Sequence, residues 1–246
     1  MCLACPISGA RTGFILQHGI WTERERFTSR WSSCPARKVR VLLKSGQSII
    51  GSRPVSGVGW LDYFRKWASK YDREVEAYDY DPEKLLKPFV PLIRKRKRGL
   101  DVGCGTGKSL EALKTVCDEV VGVEPVEKMA LQAEAKGFRV FRMKGEELGR
   151  LVEDGVPGRF DLVAFFASID YMNVELVVAG VEKVLEPGPA GHMPKKEAGL
   201  VFLTVEPENE EKVVRAFGER GFRVVKRDTR KAYEGQTYVC LLMNKG

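Results

Sequence analysis

Five residues, Gly103-Cys104-Gly105-Thr106-Gly107, separate the run Leu100-Asp101-Val102 from an amphipathic segment that begins at Lys108. Three glycines at alternate positions, between a strand pattern and a helix pattern, leave few folds open. Glycine adopts backbone conformations closed to other residues and lets a ligand approach where a Cβ would collide. Such a turn lies at the carboxyl end of a parallel strand, where doubly wound sheets bind their ligands.

Spacing then separates the candidate ligands. A Walker phosphate loop, G-x-x-x-x-G-K-[ST], would end on Gly107-Lys108-Ser109, but its first glycine would fall on Val102. A dinucleotide fingerprint, G-x-G-x-x-G, counted from Gly103 ends on Lys108. Both patterns fail. What remains is an acid, Asp101, followed by Gly103, Gly105 and Gly107.

The chain on either side agrees with a doubly wound sheet. Strand patterns at 99–102, 119–124, 138–143, 160–166 and 200–205 alternate with helical ones at 107–116, 126–136, 173–185 and 209–220 and a short piece around 147–152. Two further strands, 222–227 and 237–243, follow without a helix between them and turn near Glu234-Gly235. The pattern predicts an α/β fold: a doubly wound, mostly parallel seven-stranded sheet with a terminal antiparallel hairpin. Ahead of it, Leu61, Phe64, Trp67, Ala68, Tyr71, Val75 and Tyr78 recur at helical steps. Asp81-Pro82 caps a second helix through Leu85, Leu86, Phe89 and Val90, which Pro88 and Pro91 shorten.

On these residues the chain resembles the class I S-adenosylmethionine-dependent methyltransferases, nearest to the small, type 11-like domains that include the quinone C-methyltransferases. The resemblance covers about residues 60–246. It implies a Rossmann-like methyltransferase fold and S-adenosylmethionine as cofactor. By resemblance, Asp101, Gly103, Cys104, Gly105 and Gly107 form the cofactor loop. Glu124, at the end of the second strand and 23 residues after Asp101, would hold the ribose hydroxyls. A carboxylate has acceptor capacity for two hydroxyls, so the chemistry agrees independently. Pro125 would pack on the adenine, and Glu146 in Gly145-Glu146-Glu147-Leu148 would approach its amino group. Ala167 and Ser168 end the fourth strand and would line the pocket, whereas Asp161 at its start reads as structural. Tyr71 and Trp67 would lid the site. The family's short Pro-Gly-Gly turn before the fifth strand is replaced here by the longer 186–199, which carries His192.

Methyl transfer from a sulfonium is mainly a matter of alignment, and a base is needed only when the acceptor must lose a proton. His18 and His192, the chain's two histidines, read as bystanders. Asp170, Tyr171 and Glu206 stand nearest the expected donor methyl, with Asp170 and Tyr171 the catalytic candidates. Ser168-Ile169-Asp170-Tyr171 lacks the prolines of enzymes that methylate exocyclic base amines. Neither Cys104 nor Cys240 is placed as the nucleophile that base C5 methylation requires. The link 206–208 after the fifth strand is too short for a substrate domain. The expected acceptor is therefore a small molecule, methylated on O, N or C. The alternatives are an RNA or protein methyltransferase, or a non-catalytic nucleic-acid-binding module on the same fold.

The nucleic-acid alternative draws on charge. The 246 residues carry a formal net charge of +8, which invites it. Residues 1–60 hold 9 Lys/Arg against 2 Asp/Glu, whereas residues 61–246 hold 32 against 31. The body keeps one basic cluster, Arg94-Lys95-Arg96-Lys97-Arg98, which could grip phosphates but reads first as a solvated ramp into the next strand. Residues 1–59 read as a basic, Ser/Arg-rich extension, with 39–50 as a candidate hairpin, and 60–98 as helices that lid the domain at 60–246. The extension fits a transit peptide, a nucleic-acid-binding arm or, preferred here, sequence upstream of the working start. That last reading requires a non-Met initiator, since the next methionine after Met1 is Met129. Cys2, Cys5, His18 and Cys34 can be drawn as a zinc set, but their irregular spacing points to incidental thiols and no metal site. Scattered cysteines suit a reducing cytoplasm. No apolar run approaches the roughly 20 residues of a membrane helix.

Overall fold

The apolar run that leads into the glycine loop is the central strand of a sheet. The computed structural model describes residues 59–77, 80–153, 156, 158–187, 198–233 and 236–245. The readings made for residues 1–58, for Tyr78, for His192 and for the turn at Glu234-Gly235 lie outside them.

Seven strands form one sheet among the described residues: β1 (Arg96–Val102), β2 (Cys117–Val123), β3 (Arg139–Phe141), β4 (Leu162–Phe165), β5 (Leu200–Val205), β6 (Phe222–Tyr233) and β7 (Gln236–Lys245). Their order is β3-β2-β1-β4-β5-β7-β6. β1 to β5 are parallel, and β7 runs antiparallel between β5 and β6. The chain winds outward from β1 through β2 to β3, then returns to β4 on the other side of β1. At that reversal the connections after β1 and β4 diverge, which opens a crevice at the strand ends.

The described helices are α1 (Trp60–Trp67), α2 (Tyr71–Ala77), α3 (Pro82–Leu86), α4 (Val90–Ile93), α5 (Lys108–Lys114), α6 (Glu127–Ala135), α7 (Arg150–Glu153), α8 (Val174–Val184) and α9 (Glu210–Gly218). Successive strand residues point to opposite faces. Val163 and Phe165 therefore join one apolar cluster with Val177, Val181 and Phe217 of α8 and α9. Leu162 and Ala164 join the other, with Leu85, Leu86 and Leu110 of α3 and α5. Burial of both faces explains the near-continuous apolar strands. No helix of the described residues is long and apolar enough to cross a membrane.

The helical pattern that begins at Trp60 is broken, with a turn at Ala68-Ser69-Lys70 between α1 and α2. The Ala68 carbonyl at the break accepts the Gln132 side-chain amide at 3.0 Å, and the Trp67 indole N–H bridges the break to Glu74. The turn lets α2 dock on the glycine loop: Asp72 accepts the Thr106 hydroxyl and pairs with Lys136 at 3.3 Å. Asp81 caps α3 as its sequence indicates, accepting the Glu83 N–H at 2.9 Å.

The basic cluster is not a free ramp. β1 begins inside it, at Arg96. Lys95 pairs with Asp118 at 3.2 Å, and Arg96 donates to the carbonyls of Ile93 (2.8 Å) and Ala198 (3.2 Å). Arg98 pairs with Glu119 at 3.0 Å and lies 4.7 Å from the centre of the Phe160 ring. Asp161 accepts the backbone N–H of Lys97 (3.1 Å) and of Arg98 (2.9 Å), which fixes the start of β4 against β1.

Candidate active site

The loop after β1 holds three left-handed residues, Gly103 (φ 79°), Gly105 (φ 54°) and Gly107 (φ 92°). They serve two ends. A Cβ on Gly103 would come within 2.6 Å of the Ser168 Cβ, and one on Gly107 within 3.1 Å of the Ala133 Cβ. One on Gly105 would meet nothing within 4 Å. The outer two glycines permit close packing, and the middle one leaves room. The N–H groups of Gly103 and Cys104 donate to the Val123 carbonyl at 2.8 and 3.1 Å, which ties the loop to the end of β2.

Two buried carboxylates sit beneath this loop. Asp101 is fully buried and accepts the Ser109 hydroxyl, and its Oδ1 has no hydrogen-bond partner. Burial pushes its pKa up to about 7; the Ser109 bond opposes the rise and the Glu124 charge adds to it. Glu124 follows β2 and accepts the Gly105 N–H at 2.9 Å on Oε2 and the Val126 N–H at 2.8 Å on Oε1. Burial raises it to about 7 as well, against those two bonds. Each Glu124 oxygen retains an acceptor lone pair beyond the bond it accepts.

A cleft of about 530 Å³ opens above the loop. Eight expected residues line it: Tyr71, Gly103, Gly105, Glu124, Pro125, Ala167, Ser168 and Tyr171. Ala167 takes φ 50° and donates its N–H to the Thr204 hydroxyl at 2.8 Å, while the Ser168 hydroxyl donates to the Val102 carbonyl at 2.6 Å. A smaller cavity of about 300 Å³ shares Tyr71, Gly103, Gly105 and Phe166 with the cleft and reaches Lys108.

Seven residues expected at or near the site do not line the cleft, Glu206 among them. Asp101 and Gly107 support the loop from behind. The Cys104 thiol is buried against Gly122, and burial, with the charges of Asp101 and Glu124, pushes its pKa well above the ordinary value. It packs as a thiol. Glu146 gives its Oε1 to the Asn173 N–H at 2.9 Å, anchoring the start of α8; Gly145 beside it lines the cleft instead. Asp170 accepts the Asn209 side-chain amide at 2.8 Å and the Glu206 N–H at 3.3 Å. It holds the link between β5 and α9, and burial pushes its pKa up to about 6. Trp67, expected as a lid, is buried in the core and bonded to Glu74.

Six lining residues were not expected: Trp60, Phe64, Met129, Gly145, Phe166 and Met172. Helical spacing marks Phe64, but the same spacing fits any core-facing helix. Gly145 carries a clearer mark, since a Cβ there would come within 2.6 Å of the Met172 sulfur.

The site fits S-adenosylmethionine on three grounds. The open space at Gly105 admits a ligand against the backbone. Glu124 has acceptor capacity left for a pair of hydroxyls. The lining sets apolar Pro125, Met129 and Phe166 beside the polar loop, as a nucleoside requires.

Comparison with known proteins agrees with this geometry. Residues 100–190 match the family described as "Methyltransferase domain". An uncharacterized methyltransferase of Geobacillus sp. (strain WCH70) is 32% identical over 98 residues, covering 37% of this chain and 46% of that protein. An uncharacterized protein of Methanocaldococcus jannaschii is 27% identical over 132 residues, 52% of this chain and 58% of its own length. The chain thus spans about half the length of the curated relatives it matches. The magnesium protoporphyrin IX methyltransferase of Synechocystis PCC 6803, solved with bound S-adenosylmethionine, superposes with a TM-score of 0.54 at 11% identity, covering 78% of this chain and 100% of that one. That likeness is one of fold.

Proposed function

We propose that the chain carries a class I S-adenosylmethionine-dependent methyltransferase domain and transfers the cofactor's methyl group to a nucleophilic O, N or C of a small acceptor in the cleft. The observation that carries the proposal is Glu124 beside the open space at Gly105. Glu124 receives the ribose hydroxyls on the acceptor capacity its two backbone bonds leave. Gly103 and Gly105 let the ligand lie against the loop, and Pro125 and Met129 supply apolar wall. When bound, the cofactor supplies a methyl carbon on a positively charged sulfur, open to in-line displacement.

The remaining residues align the acceptor and exclude water. Trp60, Phe64 and Tyr71 close the cleft from the N-terminal helices. Tyr171 serves as a wall rather than a base: burial, then the charges of Glu206 and Asp170, hold its phenol well above the ordinary range, so it stays protonated. A small acceptor is supported by the short link between β5 and α9, where Glu206 leads directly into the turn Pro207–Asn209. The basic residues 94–98 lie at the far end of β1, most of them held by protein groups.

Calorimetry with S-adenosylmethionine tests the reading first. Binding is expected in the micromolar range and is expected to be lost in Gly105→Arg and strongly weakened in Glu124→Ala. A labelled-methyl screen of cell extract, fractionated into small molecules, RNA and protein, then locates the acceptor. No binding at millimolar cofactor would sink the enzyme reading, and label confined to RNA or protein would sink the small-acceptor part.

A further inference from the structure

Three of the rings that wall the cleft stand nearly at right angles. The Trp60 and Phe64 centroids are 6.4 Å apart with the planes at 72°, and those of Phe64 and Tyr171 are 5.2 Å apart at 88°. Rings set this way pack edge to face, and all three line the same cleft. Aromatic faces carry negative potential and attract cations, most strongly where water is excluded.

The charged groups around the box agree. Among the described residues the cleft is lined by one charged side chain, Glu124, and by no Lys, Arg or His. Burial first, and then the nearby charges of Glu206 and Asp170, raise the Tyr171 phenol, so acidic groups flank that wall. Among the described residues the cleft lining offers a carboxylate or phosphate acceptor no cation; Lys108, at the adjoining cavity, is paired with Glu76 at 3.3 Å. A phenol would need a base to take its proton, yet of the lining side chains Glu124 is committed beneath the loop and Tyr171 keeps its own proton.

Building on the methyltransferase reading, we propose that the acceptor is a small amine, methylated as its free base, and that Trp60, Phe64 and Tyr171 form a cation box for the ammonium that results. The nitrogen lone pair forms the N–C bond as the C–S bond breaks, and that bond's electron pair stays on sulfur. Positive charge passes from sulfur to nitrogen. The surplus N–H proton leaves to water afterwards, so no protein base takes part. Charge develops on nitrogen in the transition state, which is where the box favours it.

Calorimetry on the full chain, saturated with S-adenosylhomocysteine, tests the box without methyl transfer. Phenyltrimethylammonium stands in for the product, with benzyl alcohol and benzoate as uncharged and anionic controls. The cation is expected to bind at least about tenfold more tightly than either control. Trp60→Leu and Phe64→Leu are each expected to weaken the cation about tenfold, and S-adenosylmethionine much less. Labelled-methyl transfer to phenethylamine, 4-ethylphenol and 3-phenylpropionate is expected to mark the amine, at a rate that follows its free-base fraction. Cation binding no tighter than benzyl alcohol, or label on the phenol or carboxylate alone, would overturn the amine proposal. Failure of S-adenosylmethionine itself to bind would instead sink the methyltransferase reading beneath it.

Discussion

At the scale of single residues, Gly105 and Glu124 shape the proposed cofactor site from two sides, and they are expected to fail differently. Arginine at φ 54° pays a left-handed backbone cost of about 1–2 kcal/mol, and no atom within 4 Å of its Cβ adds to it. Gly105→Arg should therefore melt only a few degrees lower while losing cofactor binding, measured by calorimetry on protein shown to be folded by circular dichroism. Glu124 brings a pH dependence. It and Asp101 sit at about 7 in the fold, above their ordinary values. Such acids hold more protons folded than unfolded between roughly pH 4 and 7, so ligand-free stability should fall across that window and level off above it. Cofactor affinity should take the opposite sign, rising through pH 7 as Glu124 ionises and becomes the better acceptor for two hydroxyls. Urea titration and calorimetry at matched pH values separate the two slopes. An affinity that ignores pH, or a Glu124→Gln variant that keeps the rise, would remove Glu124 from the ribose role.

At the scale of elements, much depends on side chains that join segments distant in sequence. Asp161 joins β4 to β1 through two backbone N–H groups, at 3.1 and 2.9 Å. Asp161→Ala should cost about 1–3 kcal/mol, read as a Tm drop of about 2–4 °C per kcal/mol. Cofactor affinity should be unchanged, because Asp161 lies at the end of the sheet away from the cleft. Asp72 joins α2 to the glycine loop and to α6, so Asp72→Ala should speed amide exchange across residues 60–77 and weaken the cofactor several-fold. Unchanged exchange there would show that apolar packing alone holds the lid. This division also explains what the sequence reveals. Alternate glycines at a strand end are a local backbone demand, so the loop is legible, and Glu124 comes with the family resemblance that those glycines carry. Asp170 is not, because its partners Glu206 and Asn209 lie 36 and 39 residues further along the chain. Trp60 and Phe64 show helical spacing, but that fits any core-facing helix, and their place at the cleft is a matter of tertiary packing.

At the scale of the whole molecule, the question is where the charge sits relative to the site. The +8 of the chain comes almost entirely from residues 1–60, and residues 61–246 are nearly balanced. The basic cluster at 94–98 opens β1, while the glycine loop closes it. Seven strand residues at about 3.3 Å each place the two ends roughly 20 Å apart. Arg96 and Arg98 are moreover held by carbonyls, Glu119 and the Phe160 ring. Among the described residues the arginines thus stand away from the cleft, whose one charged lining side chain is the acid Glu124, a poor match to a phosphate backbone. A polyanionic acceptor would release counterions on binding and lose about 10³–10⁵ in affinity between roughly 50 and 200 mM salt. A small uncharged amine releases none. Methyl transfer to such an acceptor should hold its kcat/KM within about twofold over that salt range. A steep fall would assign the acceptor to nucleic acid, and a fall abolished by neutralising Arg94 and Lys97 would trace it to the far end of β1.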